Sequence, residues 1–151
     1  MSIEVKAVSE AELPELIRVV LEKMPDIPYY AKKDPEILIP KWTQLMRMGI
    51  ARSYGAYEDG TPIGMLLGMV TADLVAATTQ AFEIAWQVRP EYRRRGAGIQ
   101  LLKLFEQDAV EAGCARIVFG ASMEGYGHEA MIRLYRRLGY EPFSTVFAKK
   151  L

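Results

Sequence analysis

The chain has 151 residues, half of them hydrophobic, which suits one domain with a substantial core. Its 19 lysines and arginines balance 19 aspartates and glutamates. Zero net charge excludes a general binder of nucleic acid or membrane surfaces, so any preference for anions must be local.

The N-terminus reads MSIEVKAVSEAE, acidic where a secretory signal would be apolar, and no apolar run approaches the roughly 20 residues of a membrane span. The single cysteine, Cys114, permits no internal disulfide and fits a reducing, cytoplasmic setting. IEVKAVS alternates like a half-buried strand. Ser9 with Glu12 three residues on forms a capping box, and Leu13, Leu16, Ile17, Val20, Leu21 and Met24 follow at helical spacing. PDIPYY breaks that helix. Asp34-Pro35 starts another, which Pro40 is expected to kink or split. Asp59-Gly60 lies between two strand-like runs and marks a β-hairpin. QAFEIAWQV reads as a strand, and GAGIQLLKLFEQDAVEAG as an amphipathic helix closed by Gly113. ARIVFGAS reads as a buried strand and GHEAMIRLYRRLG as a helix ending at Gly139. YEPF and STVFAKKL look like a terminal strand pair. The strand–helix–strand from Ala81 to Ala121 implies a parallel pair with a crossover helix, and the hairpins imply antiparallel flanks. The expectation is a single α/β domain over residues 1–151. Its central sheet is mixed and largely antiparallel, flanked by about four helices.

The positive charge gathers in RPEYRRRGAGIQLL, where a turn becomes a helix. A helix start already carries unpaired N–H groups and a partial positive charge. A P-loop would need Lys-Ser/Thr after the second glycine, but Ile99-Gln100 follows. A dinucleotide fingerprint would need a third Gly or Ala three residues after Gly98, where Leu101 stands, and an acid about 20 residues on. The pattern Arg/Gln-x-x-Gly-x-Gly/Ala is filled by Arg93, Arg94, Arg95, Gly96, Ala97 and Gly98. Glycines let the backbone approach a pyrophosphate, successive N–H groups can cradle it, and arginines add charge-assisted bonds. A bulky side chain at Gly96 or Gly98 is expected to block that approach. A basic helix cap without ligand is the simpler alternative.

That loop, the VRPEYRRRGAGIQLL context and the later HEAMIRLYRRLGYEP together resemble the GNAT N-acetyltransferase superfamily, over nearly the whole chain. The resemblance implies a splayed parallel strand pair and acetyl-CoA (coenzyme A) as acyl donor. It also implies that free backbone groups of the strand Ile84–Val88 hold the pantetheine arm, with Trp86 and Val88 as the contacts; the Trp86 side chain is expected in the core. Tyr135 falls at the family's acid tyrosine, although a helical stripe of Met131, Leu134, Tyr135 and Leu138 also accounts for it. Glu83 is the candidate base, with solvent exposure, a cation partner or a water base as alternatives. His128 stands seven residues before Tyr135, where the family commonly has Asn, and is assigned a cofactor contact, with a base near neutral pH or a structural residue as the alternatives. Cys114 is expected to be inert packing. No His/Cys/carboxylate cluster has metal-ligand spacing, so no metal is expected.

The expected partner is an amine acceptor, either small molecule or peptide, with no nucleic acid and no membrane; a homodimer is left open. Tyr29, Tyr30 and Trp42 are candidates for an acceptor pocket, for the core or for a dimer face. Asp26, Asp34 and Glu36, among Lys32 and Lys33, are too few to make an acidic groove. The activity implied is direct transfer of an acetyl group to a primary amine. The alternative is a non-catalytic acyl-CoA-binding or interaction module on the same fold.

Overall fold

A computed structural model describes residues 2–24, 33–121 and 127–151. They fall into two compact units, one of residues up to Met24 with Asp34–Phe119, the other containing Gly120–Leu151. The elements in chain order are β1 (Ile3–Ala7), α1 (Leu13–Glu22), α2 (Pro35–Arg47), β2 (Ala51–Glu58), β3 (Thr61–Ala72) and β4 (Thr79–Val88). A short 3₁₀ turn (Pro90–Tyr92), α3 (Ala97–Glu111), β5 (Arg116–Val118) and α4 (His128–Arg137) follow.

In the first unit the five strands lie in the order β1-β2-β3-β4-β5, antiparallel except for the parallel β4–β5 pair. The β2–β3 hairpin turns on Asp59 and Gly60, both with positive φ (50° and 79°), as a two-residue type I′ turn requires. The Ser9–Glu12 capping box forms as expected: the Ser9 hydroxyl and amide both donate to Glu12 Oε1, at 2.9 and 3.2 Å, and the Ser9 hydroxyl accepts from the Glu12 amide at 3.4 Å. Behind it, α1 buries Leu13, Leu16, Ile17, Val20 and Leu21 on one face of the sheet, with Trp42 of α2. Helix α3 covers the other face with Ala97, Leu101, Phe105 and Ala109. Full burial of a Leu- or Phe-sized side chain stabilises by roughly 1.5–3 kcal/mol, so these two layers hold the sheet from both sides.

Asp34 caps α2 by accepting from the Glu36 amide at 3.0 Å. Pro40 does not split this helix, which runs on to Arg47 with the proline inside. In β4 the register against β3 slips between Leu67 and Gly68: Leu67 faces Ala85 and Gly68 faces Glu83, leaving Ile84 as the extra residue of a β-bulge.

Two strand expectations are corrected. β5 is three residues long and part-exposed rather than a long buried strand. YEPF and STVFAKKL form no strand pair: residues 140–151 carry no regular structure, and Val146 and Phe147 are exposed. Strand propensity does not make a strand without a neighbouring ladder to join. In the second unit α4 is regular and ends, as expected, at Gly139 (φ 87°).

Candidate active site

Among the described strands, β4 has a neighbour on both edges only at its start. β5 meets it at Gln80, Ala81 and Phe82, and beyond Phe82 no strand among the described residues pairs that edge. The Arg89 amide donates across the ladder to the Ile63 carbonyl at 2.8 Å. By two-residue alternation the backbone groups of Trp86 and Val88 therefore turn the other way, toward the open edge. The Val88 carbonyl is found there, accepting from Arg93 Nε at 3.1 Å. The two residues expected to present backbone groups do occupy that edge.

The open edge leads to the start of α3. Gly96 is the N-cap, in the left-handed region at φ 88°, and a glycine offers no side chain to cap the helix. The first intrahelical donor is the Gln100 amide, to the Gly96 carbonyl at 3.1 Å. The amides of Ala97, Gly98 and Ile99 precede it and point out of the helix start, where its dipole is positive. A phosphate is the ligand such an arrangement favours. At Gly98 the protein's own packing leaves room for a methyl group. A Cβ there would rest 3.6 Å from Val88 Cγ2 and 3.7 Å from the Trp86 ring, ordinary contacts that a methyl group can make.

Trp86 holds the strand and the helix together. Its indole N–H donates to the Gly98 carbonyl at 3.1 Å, and its ring meets Phe119 edge-on at 5.5 Å. This side chain packs, partly buried, against the α3-side core and fixes the helix start. Glu83 is partly buried, opposite Gly68 and next to the bulge. Cys114 is partly buried and packs against the α3-side core, and burial pushes its thiol pKa up, away from the reactive thiolate.

Around the loop the arginines have partners both near and far in sequence. Arg95 pairs with Glu58 at 3.0 Å, and Arg89 with Glu91 at 2.7 Å; both guanidinium groups lie 5.2 Å from the Tyr92 ring centre. A shallow hollow beside the loop is bordered by Ile3, Glu58, Arg95 and Gln100. Sequence reading missed Glu58, Arg89 and Tyr92. Arg89 and Arg95 at three residues either side of Tyr92 are a usable signal; Glu58 carries none.

In the second unit, Tyr135 is buried on α4 and its hydroxyl donates to the Gly120 carbonyl at 2.7 Å. His128 opens α4, behind Gly127 in the left-handed region (φ 81°). Its Nδ1 is buried and has no hydrogen-bond partner among the described residues, so it can still take one. Of the acceptor-side candidates, Trp42 belongs to the core: it is 3% exposed and its Nε1 donates to Ser53 Oγ at 2.8 Å. Asp34 caps α2 and Glu36 is paired with Arg18 at 2.7 Å, so neither contributes to an acidic groove. Asp26, Tyr29, Tyr30 and Lys32 lie outside the described residues. Among the described residues no group of three or more His, Cys, Asp or Glu is placed to hold a metal ion, and no helix is long and apolar enough to cross a membrane.

A mixed sheet whose one parallel pair is short, beside an uncapped helix start, is the arrangement of the acetyltransferase fold. The family model of the acetyltransferase (GNAT) family matches residues 15–140, and the chain belongs to that family. No curated protein sequence matches it. Among solved structures it is similar to AAC(6')-Iy in complex with the bisubstrate analogue CoA-S-monomethyl-acetylneamine, with a TM-score of 0.78, 19% identity, and coverage of 100% of this chain and 99% of that one. The aminoglycoside acetyltransferase meta-AAC0020, from an uncultured soil metagenomic sample and in complex with sisomicin, gives 0.76 and 17%, covering 99% and 96%. The ribosomal-protein-alanine N-acetyltransferase of Brucella melitensis biovar Abortus 2308 gives 0.75 and 14%, covering 99% of each chain. At these identities the likeness is one of fold.

Proposed function

We propose that this chain is an acetyl-CoA-dependent N-acetyltransferase that moves an acetyl group directly onto a primary amine. The observation that carries this reading is the open edge of β4, with Trp86 and Val88 turned outward, running into the uncapped start of α3 at Gly96. The edge offers strand-like hydrogen bonds to an amide-bearing arm, and the helix start offers amides to the pyrophosphate.

In the transfer, the amine nitrogen bonds to the thioester carbonyl carbon and the carbon–sulfur bond breaks. The amine gives up one proton and the departing thiolate takes one. Glu83 is assigned the first proton, directly or through water, and Tyr135 the second. The Tyr135 hydroxyl donates to the Gly120 carbonyl at 2.7 Å and would have to turn from it to serve the thiolate. His128, through its unpartnered Nδ1, is assigned a contact to the donor.

The engagement of Tyr135 with Gly120 is also what a non-catalytic acyl-CoA-binding module would show. Calorimetry with acetyl-CoA, followed by an amine screen read by thiol release, separates the two. The screen includes aminoglycosides, peptides with an N-terminal alanine, and lysine, because the solved structures of this fold include enzymes for the first two. Selective binding with thiol release supports the enzyme; binding without release on any amine supports the module. Tyr135→Phe is expected to lower turnover at least tenfold with acetyl-CoA affinity unchanged, roughly the effect of losing one general acid. Unchanged turnover in that variant removes Tyr135 from the role.

A further inference from the structure

β1 stands at one end of the strand order and has a neighbour on one side only, β2. The Val8 amide donates across that ladder to the Ser53 carbonyl at 2.9 Å. By two-residue alternation the backbone groups of Lys6 and Glu4 face β2 as well. Those of Ile3, Val5 and Ala7 face away, and no strand among the described residues meets them. Such an edge is a template for a further strand, and charged side chains are a usual guard against one.

Here the charges lie symmetrically about Val5. Glu4 and Lys6 project from one face of the strand, where Lys6 pairs with Glu12 at 2.7 Å and lies over the Tyr57 ring. Ile3 and Val5 project from the other face and pack, partly buried, against the α3-side core, with Ala7 exposed beside them. With a second β1 laid antiparallel along the open edge and Val5 opposite Val5, Ile3 faces Ala7 of the partner subunit in the hydrogen-bonded positions. Glu4 then faces Lys6 of the partner subunit in the intervening positions, where side chains come closest. The two neighbouring registers that keep outward groups opposed set Glu4 against Glu4, or Lys6 against Lys6, and like charges repel. Of these alignments only the first satisfies the backbone, the apolar face and the charged face together. Lys6 can serve both carboxylates, because an ammonium has N–H donors to spare beyond the one given to Glu12.

We propose that β1 is a homodimer interface. Two copies join edge to edge about a two-fold axis at Val5 and make one continuous sheet of their two sheets. The occupant is a second copy of this chain because the pattern of charge is complementary to itself. An edge of five residues is short beside the interfaces of about 1,200 Å² and more that hold stable dimers, so the association is weak and rises with concentration. It does not depend on the acetyl-CoA reading.

The test is sedimentation velocity of the full chain over a concentration series reaching about 1 mM, for the wild type, Glu4→Lys, Lys6→Glu and Ala7→Pro. The wild type is expected to pass from the mass of one chain toward that of two. Glu4→Lys sets like charges opposite each other and is expected to weaken dimerisation roughly tenfold or more. Ala7→Pro removes an outward amide and leaves the ladder to β2 alone, a change that an edge strand tolerates. It is expected to weaken the dimer with the thermal midpoint little changed.

Lys6→Glu alone is also expected to be monomeric, with a lower thermal midpoint because its new carboxylate lies beside Glu12. An equal mixture of the Glu4→Lys and Lys6→Glu chains puts opposite charges face to face again, and is expected to recover the dimer as a mixed pair. If the Lys6→Glu chain does not fold, Glu4→Lys and Ala7→Pro decide by themselves. A wild type that stays monomeric throughout overturns the proposal. So does a dimer that Glu4→Lys and Ala7→Pro leave intact, or a folded mixture that does not recover it.

Discussion

Gly96 and Gly98 share one motif but differ in what they require. At φ 88° Gly96 is held where an L side chain costs roughly 1–2 kcal/mol, whereas a methyl on Gly98 only fills space beside Val88 and Trp86. Gly96→Val is therefore expected to stay folded by circular dichroism, with a lower thermal midpoint, and to lose acetyl-CoA binding in calorimetry. Gly98→Ala should bind within a fewfold of the wild type; the reverse order would mean that the helix start is not the phosphate seat. Glu12 gives a prediction in pH. The hydrogen bond from the Lys6 side chain, then those from the Ser9 amide and hydroxyl, hold the Glu12 carboxyl down to about 2. A carboxyl lowered on folding stabilises the native state above its unfolded value, roughly 4.3, and loses that contribution as pH falls toward the folded value. Urea unfolding should therefore find Glu12→Gln less stable than the wild type at pH 7, with the gap closing between about pH 4 and pH 2. A gap that persists at pH 2 would show that the carboxylate is not its source.

At the scale of elements, α3 is fitted to β3 through one missing side chain. A Cβ at Gly68 would lie 2.4 Å from Phe105 Cζ, so the ring occupies the space that the glycine leaves. Phe105 also meets Tyr54 at 5.7 Å and Phe119 at 6.0 Å between ring centres. Gly68→Ala should destabilise by about 1–3 kcal/mol through overpacking, and by clearly less in a Phe105→Leu background, since the two sites share one volume. A double-mutant cycle by chemical denaturation reads this coupling, and strictly additive losses would contradict the fit. The elements set by local chemistry were legible in the sequence: the Ser9–Glu12 box, the Asp34-Pro35 start, the Asp59-Gly60 turn and the Gly113 stop all lie where their side chains and φ angles demand. β5 and the terminal segment were not, because a strand is completed by a partner that its own residues do not specify.

For the molecule as a whole, the candidate site was half legible. The loop from Arg93 to Gly98 could be read because its chemistry is contiguous. Its support could not, because Glu58 stands 37 residues from Arg95 and nothing in either neighbourhood announces the pair. The segment after Gly139 carries exposed Phe143 and Phe147, while Tyr54, Phe105 and Trp42 are buried. Limited chymotrypsin digestion followed by intact-mass analysis should cut after Phe143 or Phe147 well before any of those three. Early cleavage at Phe105 would place the weak point in the first unit instead. The bulge at Ile84 reaches further than its one residue. Ala81, Trp86 and Val88 all lie on the α3-side core, yet the first is odd-numbered and the other two even-numbered. Strict alternation cannot do that; the extra residue changes the parity of the strand midway. A β4 shorter by Ile84 alone would keep its composition and its first half, but would carry the Trp86 indole to the opposite side of the sheet from the Gly98 carbonyl. One inserted residue thus works as a phase shifter, letting a single strand obey two frames: one read by its neighbours in the sheet, the other by whatever lies along its open edge.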